Sequence, residues 1–164
     1  MIIGVDCRYL TKSPRGIGRY SLLLLQRLNK NFPNFEFVLF VRTGEVISGN
    51  HGTLVTINLP PQVWDFGALQ YKCWRHKIDV LVCPTNTAPY SFLPNITKLW
   101  LTVHDVSFLL PLESHKKADL RSKCASAWRS FVVPRSIDRA DIVTTVSKVA
   151  ANDICMVSGY ANVR

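Results

Sequence analysis

Short, continuous apolar stretches recur along the chain, and segments with a helical spacing of apolar residues separate them. An apolar run of about four to eight residues, rich in β-branched and aromatic side chains, is typical of a strand that is buried on both faces. Such runs predict strands over residues 1–5, 35–42, 53–59, 79–84, 97–103 and 140–146. Strands of this kind belong to parallel sheets that are covered on both sides.

Between these strands, apolar residues recur with the period of an α-helix, as they do over residues 17–28. This spacing predicts helices over residues 18–29, 66–77, 114–139 and 148–159. Pro33 cannot continue the first helix, and Pro134 should kink or interrupt the third. Ser147 is a suitable N-cap for the last helix, and Gly159 is a suitable stop.

The alternation of buried strands with helices predicts a doubly wound α/β fold, with helices on both faces of a mostly parallel sheet, in a single domain over residues 1–164. The connector 43–52 is too short for a crossover helix, so we expect an irregular link there. Ligands of open parallel sheets bind outside the carboxyl ends of the strands. We therefore expect four loops to line one edge of the sheet and to hold the functional site, those after Val5, Val82, Val103 and Thr145.

The stretch "SPRGIGRY" lies in the first of these loops and leads into the first helix. Gly16 and Gly18 permit backbone conformations that other residues avoid, and a helix start offers free N–H groups and the positive end of the helix dipole. Arg15 and Arg19 add charge, so the segment suits a phosphate group. A tight turn with solvated arginines fits the segment as well. A dinucleotide fingerprint does not fit, because the third glycine is missing and the strand lies too far upstream.

His104 and Asp105 follow another predicted strand. A histidine at this position can donate a hydrogen bond or exchange a proton near neutral pH. Asp105 has three candidate roles: orienting the histidine, binding a sugar hydroxyl, or capping the turn. Thr85 and Asn86, in the loop "PTNTAP", can bind hydroxyl groups or form a structural turn. No His, Cys or Asp cluster has the spacing of a metal site, so no metal is expected.

The chain carries 20 Lys and Arg against 11 Asp and Glu, a net charge of +9. Such a charge attracts phosphate-bearing partners such as nucleotides, nucleic acids or an anionic membrane. Much of it lies in segment 115–139. There is no secretory leader and no apolar run of about 18–20 residues, so we expect a cytoplasmic location without a membrane span. The five cysteines show no C-x-x-C pair and are expected to be reduced.

Four stretches taken together resemble a known family. "IGVDCRYL…RGIGRYSLLLLQRL", "DVLVCPTNTAP", "LWLTVHDVSF" and "ADIVTTVSKVAANDI" are similar, in this order and at similar spacing, to the N-terminal half of GT-B glycosyltransferases. The resemblance is to the retaining, mannosyltransferase-like group and covers nearly the whole chain. It implies a Rossmann-like domain that is one half of a GT-B fold, with an active site in the cleft between two domains and no metal requirement.

The resemblance also implies roles for individual residues. Gly16, Gly18 and Arg19 would face the phosphates of a nucleotide-sugar, the donor substrate. His104 would lie beside the transferred sugar as a catalytic residue, with Asp105 next to it. Asn86, together with Thr85, would lie near the acceptor. The implied reaction transfers a sugar from a nucleotide-sugar to a glycan or a lipid-linked acceptor.

One departure from the family pattern is large. The C-terminal domain, which binds most of the nucleotide and carries an E-x(7)-E type motif, has no counterpart before the chain stops at "SGYANVR". The 164 residues are therefore expected to be incomplete as a catalyst unless a partner supplies the second domain. A half-cleft should expose an apolar interface, so a homodimer or a complex with a separate C-terminal domain is also expected.

Two other functions remain compatible with the sequence. One is a non-catalytic binding or interaction module, such as a truncated form or one subunit of a split enzyme. The other is a basic nucleic-acid-binding domain, which only the charge favours, since no motif for it is present. The basic segment 115–139 further suggests peripheral contact with the inner face of an anionic membrane, although a solvated helix face explains the same charges.

Overall fold

The computed structural model describes residues 1–11, 13–42, 52–90, 97–109 and 120–159. These ranges contain the strands β1 (Ile2–Asp6), β2 (Glu36–Val41), β3 (Thr53–Thr56), β4 (Val80–Cys83), β5 (Lys98–Val103) and β6 (Ile142–Thr145). The α-helices are α1 (Ile17–Asn31), α2 (Pro61–Val63), α3 (Leu69–Arg75), α4 (Leu120–Arg139) and α5 (Lys148–Ser158). A π-helical turn, Trp64–Ala68, joins α2 to α3, and a 3-10 turn covers Ser107–Leu109.

The six strands form one sheet in the order β3-β2-β1-β4-β5-β6, and every neighbouring pair is parallel. The chain builds the sheet outward from β1 to β3 on one side, and then returns to place β4 on the other side of β1. Two apolar clusters cover the two faces. One contains the inward residues of α1, and the other contains those of α3, α4 and α5. The predicted doubly wound α/β fold is thereby confirmed.

The predicted element boundaries agree with the structure to within a few residues, with three differences. The third strand ends at Thr56, although the N–H of Ile57 still donates to the carbonyl of Val41. The helix predicted over 66–77 begins at Pro61, because the π-helical turn continues α2 into α3. Pro134 does not interrupt α4, which runs through it. The connector 43–52 lies, except for its last residue, outside the described residues.

The predicted caps of α5 are confirmed. The hydroxyl of Ser147 accepts a hydrogen bond from the N–H of Ala150, and Gly159 takes a left-handed conformation with φ of 67°. All five cysteines are free, and three of them are buried. Among the described helices, none has both the length and the apolar character needed to cross a bilayer.

Asp141 fastens β6 to β5 at the amino ends of these strands. Its carboxylate accepts from the N–H of Leu99 at 2.8 Å and pairs with the Lys98 ammonium at 3.0 Å. Burial alone would raise the pKa of Asp141, but the Leu99 hydrogen bond and the Lys98 charge outweigh it and lower the pKa below its ordinary value of 3.8. A carboxyl with a lowered pKa in the folded state stabilises the fold above its unfolded pKa and loses this contribution as the pH falls.

We therefore expect Asp141→Asn to reduce the free energy of unfolding at pH 7 by about 0.5–1.5 kcal/mol, the range of an ion pair plus a hydrogen bond. The difference from the unmodified protein should shrink as the pH falls below about 4, where the carboxyl takes up a proton. Urea unfolding followed by tryptophan fluorescence at several pH values measures both effects. Asp138→Asn, which removes an exposed carboxyl of α4, is the control and should change little. A loss that does not depend on pH would contradict the assignment.

Candidate functional site

The carboxyl ends of β1, β4, β5 and β6 lie side by side, because these strands are neighbours in a parallel sheet. We call the described residues of the loops that follow them, 7–11, 13–16, 84–90, 104–109 and 146–147, the rim. The direction of sheet growth reverses between β1 and β4, and such a switch point opens a crevice in which α/β proteins bind ligands. The predicted convergence of these loops on one edge is thus confirmed.

His104 is held by the loop that follows β4. Its backbone N–H donates to Asn86 Oδ1 at 2.6 Å, and its ring nitrogen Nε2 lies 3.1 Å from the carbonyl oxygen of Pro84. A carbonyl oxygen can only accept, so this contact places a proton on Nε2. The other ring nitrogen, Nδ1, is then the acceptor of the neutral imidazole. Asn86 adopts a left-handed conformation with φ of 64°, and its own N–H donates to the carbonyl of Thr102.

Tyr20, which lies within the helical apolar spacing of residues 17–28, joins this site. Its ring packs edge-on against the imidazole of His104, with 4.9 Å between the ring centroids. Its hydroxyl lies 3.4 Å from Thr102 Oγ1. Because Tyr20 lies in the first turn of α1, this contact brings the glycine-rich start of the helix to the histidine. In the sequence, only the position of Tyr20 two residues after Gly18 pointed to a place in this site.

Asp105 is exposed and accepts a hydrogen bond from Ser107 Oγ at 3.0 Å, where the 3-10 turn begins. This side-chain contact joins Asp105 to the first residue of the 3-10 turn, and the three roles considered for Asp105 stay predictions. In the described part of the chain, no hydrogen bond joins Asp105 to His104.

The glycine-rich segment has the backbone geometry that its sequence suggested. Gly16 occupies the N-cap of α1 with φ of 52°, in the left-handed region that favours glycine, and no side chain caps the helix. Gly18 is buried, and a Cβ atom there would lie 2.5 Å from the carbonyl oxygen of Tyr9. Arg15 and Arg19 are exposed, and neither forms an ion pair within the described ranges. A helix start without a side-chain cap and with two solvent-facing guanidinium groups is compatible with an anion.

Thr85 is buried at the base of the same region. Its hydroxyl lies 3.4 Å from Asp6 Oδ2 and donates to the carbonyl of Thr87 at 3.2 Å. Asn86 beside it is half-buried. Within this pair, Asn86 is the residue with a partly accessible side chain, and the role of both residues toward an acceptor stays a prediction.

Asp6, Arg8 and Asp65 form a buried ion triad that includes one rim residue, Arg8. The sequence pattern gave no indication of it. The guanidinium of Arg8 contacts the carboxylates of both Asp6 and Asp65, with 2.9 Å from Nε to Asp6 Oδ2. All three side chains are at most 3% exposed. Burial lowers the pKa of Arg8, but the two carboxylates outweigh it and raise the pKa. Burial raises the pKa of Asp65 against the opposing influence of Arg8.

The basic segment 115–139 is described from residue 120 onward, as α4, and residues 115–119 lie outside the described ranges. Arg129 and Arg135 are exposed, and their guanidinium groups lie 5.3 Å from the ring centre of Phe108 and 3.7 Å from that of Phe131. In the part of the chain that the structure describes, no three metal-binding side chains form a group that could hold a metal ion.

Comparisons with solved structures find a similar fold in a polymerase and in a glucosyltransferase. The chain is similar to the wall teichoic acid polymerase TagF, with a TM-score of 0.62 and 12% identity over 99% of the chain. It is also similar to an alpha-glucosyltransferase solved with UDP and a 13-mer DNA, with a TM-score of 0.53 and 13% identity over 99% of the chain. The match spans 37% of the first protein and 41% of the second. No family model and no curated protein sequence matches the chain.

The contact at Gly18 yields a test of the site's geometry. Gly18→Ala places a methyl group against the backbone oxygen of Tyr9, which no side-chain rotation relieves, so we expect a loss of about 1–3 kcal/mol in the free energy of unfolding. Gly67→Ala is the matched control, because the nearest atom to its added methyl group is 4.0 Å away. It should change the stability by less than about 1 kcal/mol. Chemical denaturation compares the two, and equal stabilities would contradict the close approach of α1 to Tyr9.

Proposed function

We propose that the chain is the N-terminal, acceptor-side domain of a glycosyltransferase that transfers a sugar from a nucleotide-sugar to a glycan or lipid-linked acceptor. The observation that carries this proposal is the convergence of the α1 start, Asn86 and His104 at one edge of the sheet. Tyr20 packs against His104, and Asn86 bonds to it. That this edge belongs to a fold found in an alpha-glucosyltransferase supports the proposal.

The start of α1 is the proposed site for the donor phosphates. Breaking the bond between the sugar and the phosphate leaves negative charge on the phosphate oxygen, and groups that stabilise this charge lower the barrier. The helix start, with Gly16 and Gly18 facing the phosphates, supplies the positive end of the dipole, and Arg19 supplies a mobile positive charge. The N–H of Gly18 itself already donates to the carbonyl of Arg15 at 3.1 Å.

His104 is the proposed contact to the transferred sugar. With Nε2 bonded to Pro84, its Nδ1 is the nitrogen that can accept a hydrogen bond from a sugar hydroxyl or take up a proton. Asp105 is solvent-accessible beside it. We propose that Asn86 binds the acceptor through its amide nitrogen, because its carboxamide oxygen is already used by the backbone of His104. Thr85 supports the loop that carries Asn86 through its hydrogen bond to the carbonyl of Thr87.

The rest of the cleft would come from a domain that binds the nucleotide, as the resemblance to the retaining, mannosyltransferase-like group implies. This second domain would be either another part of the protein or a partner chain. No metal is proposed for the transfer. If the chain instead acts as a binding module without catalysis, it should bind a glycan or a partner and transfer no sugar when joined to such a domain.

Replacement of His104 tests the proposed site. In the protein that combines this chain with its nucleotide-binding domain, we expect His104→Ala to reduce sugar transfer about 100-fold or more, in the range of a lost acid–base or positioning group. Transfer is measured with a panel of UDP-, GDP- and CDP-linked sugars. His76→Ala, a histidine at the C-cap of α3, is the control and should retain activity. Full activity of His104→Ala would refute the assigned role.

We also propose that α4 and the preceding basic residues, segment 115–139, contact an anionic membrane surface on the cytoplasmic side. Arginines that lie beside exposed aromatic rings are suited to the boundary between lipid headgroups and water. Arg135 has this arrangement beside the exposed Phe131, and Arg129 lies beside the half-buried ring of Phe108.

Vesicle binding tests this contact. The chain should sediment with vesicles that contain phosphatidylglycerol and not with pure phosphatidylcholine, and added salt should weaken the binding. The double variant Arg129→Gln/Arg135→Gln should bind about tenfold or more weakly, since each basic residue near the surface contributes about 1 kcal/mol. Arg27→Gln/Arg75→Gln removes two exposed arginines of α1 and α3 and serves as the control. Equal binding of the two double variants would contradict the proposal.

A further inference from the structure

The Asp6–Arg8–Asp65 triad contacts the loop after β1 and the loop after β4. Each of these loops is connected to His104 by further contacts. Asp6 is the last residue of β1, and Arg8 follows two positions later. Asp65 comes from a distant part of the chain, 57 positions after Arg8. None of the three side chains reaches the surface, so the triad does not itself bind a substrate. Its contacts instead determine where the surrounding backbone lies.

The π-helical turn explains how Asp65 reaches Arg8. In an α-helix, successive residues point about 100° apart, and one of two neighbours usually faces solvent. Here the N–H of Leu69 donates to the carbonyl of Trp64, five positions earlier, and this wider turn accompanies the burial of both Trp64 and Asp65. The Arg8 guanidinium lies 5.0 Å from the centre of the Trp64 ring. Such turns occur frequently at functional sites.

One route from the triad runs through the loop after β1. Arg8 is covalently joined to Tyr9, whose carbonyl oxygen lies against Gly18 so closely that no Cβ is accommodated there. The position of this loop therefore sets the position of the first turn of α1. That turn carries Tyr20, which packs against the imidazole of His104.

A second route runs through the loop after β4. Thr85 Oγ1 lies 3.4 Å from Asp6 Oδ2, the same oxygen that receives Arg8 Nε. Asn86, the next residue, accepts from the backbone N–H of His104 at 2.6 Å. The two series of contacts start at the triad, pass through different loops and both end at His104.

We propose that Arg8 is a positioning residue that, by clamping Asp6 and Asp65, holds the loops after β1 and β4 in the arrangement that places His104 between Tyr20 and Asn86. This inference takes the importance of His104 from the proposed function. Arginine suits this role because its planar fork can contact two carboxylates at once, whereas a lysine ammonium on a flexible stem cannot reproduce that geometry. Because a buried ion pair adds little net stability compared with apolar side chains of the same volume, a geometric role accounts for the charges better than stability does.

The test uses the 164-residue chain with two variants, Arg8→Lys and Asp65→Asn. The first keeps the charge and loses the fork, and the second keeps the side-chain volume and an oxygen acceptor. The measured quantities are the exchange rate of the His104 amide hydrogen and the NMR signals of the His104 and Tyr20 rings. The amide of Lys98, which donates to Asp79 at the other end of β5, is the internal reference.

We expect the His104 amide to exchange at least tenfold faster in each variant and the cross-peaks between the two rings to weaken. The Lys98 amide should keep its rate. Ile78→Val, a buried change at the amino end of β4, is the matched control and should alter neither amide selectively. If Arg8→Lys does not fold, Asp65→Asn alone decides the question.

Unchanged His104 signals in folded Asp65→Asn would overturn the proposal. Equal acceleration of the His104 and Lys98 amides would also overturn it, because it would show general destabilisation without a positioning role. Neither readout requires sugar transfer. Full sugar transfer by His104→Ala would therefore refute the role proposed for His104 and leave the positioning result as measured.

Discussion

The pairing of β1 with both β2 and β4 is the constraint on which the rest of the structure depends. Because all the strands are parallel, each must be joined to the next by a connection that returns to the amino end, and the loops that carry polar residues collect at the carboxyl end. The reversal of sheet growth at β1 brings Asp6 and Thr85 side by side at this end, where both are buried and lie 3.4 Å apart. The start of α1 and His104 meet at the same end through the ring contact of Tyr20, although they lie far apart in the sequence.

Two kinds of interaction hold this arrangement. The two apolar clusters on the faces of the sheet provide most of the driving force for folding, since burial of apolar area dominates stability. The rim is held differently, by directional contacts: the Asp6–Arg8–Asp65 triad, the Asn86–His104 hydrogen bond and the edge-on packing of Tyr20. Hydrogen bonds and ion pairs fix the orientation of a side chain, because they require a particular geometry. Apolar packing specifies that orientation less strictly. A site that must place one imidazole accurately needs such contacts.

Much of the fold was predictable from local patterns. Continuous apolar runs marked all six strands, and Ser147 and Gly159 marked the ends of α5, because capping depends only on residues within one helical turn. The start of the helical segment at Pro61 was missed, since the π-helical turn that includes Asp65 has no periodicity of its own in the sequence. Gly18 was recognised as unusual, but the atom that requires a glycine there, the Tyr9 oxygen, was visible only in the folded chain.

The sequence by itself determined the fold class and the edge of the sheet where His104, Asn86 and the glycine-rich turn meet. These features follow from strand type and from the direction of parallel strands, which short stretches encode. The tertiary structure alone decided which side chains touch: that Asp105 bonds to the Ser107 hydroxyl, that Tyr20 packs against His104, and that Arg8 contacts Asp65. Such contacts depend on distances between distant segments, and these distances exist only once the sheet and its helices have packed together.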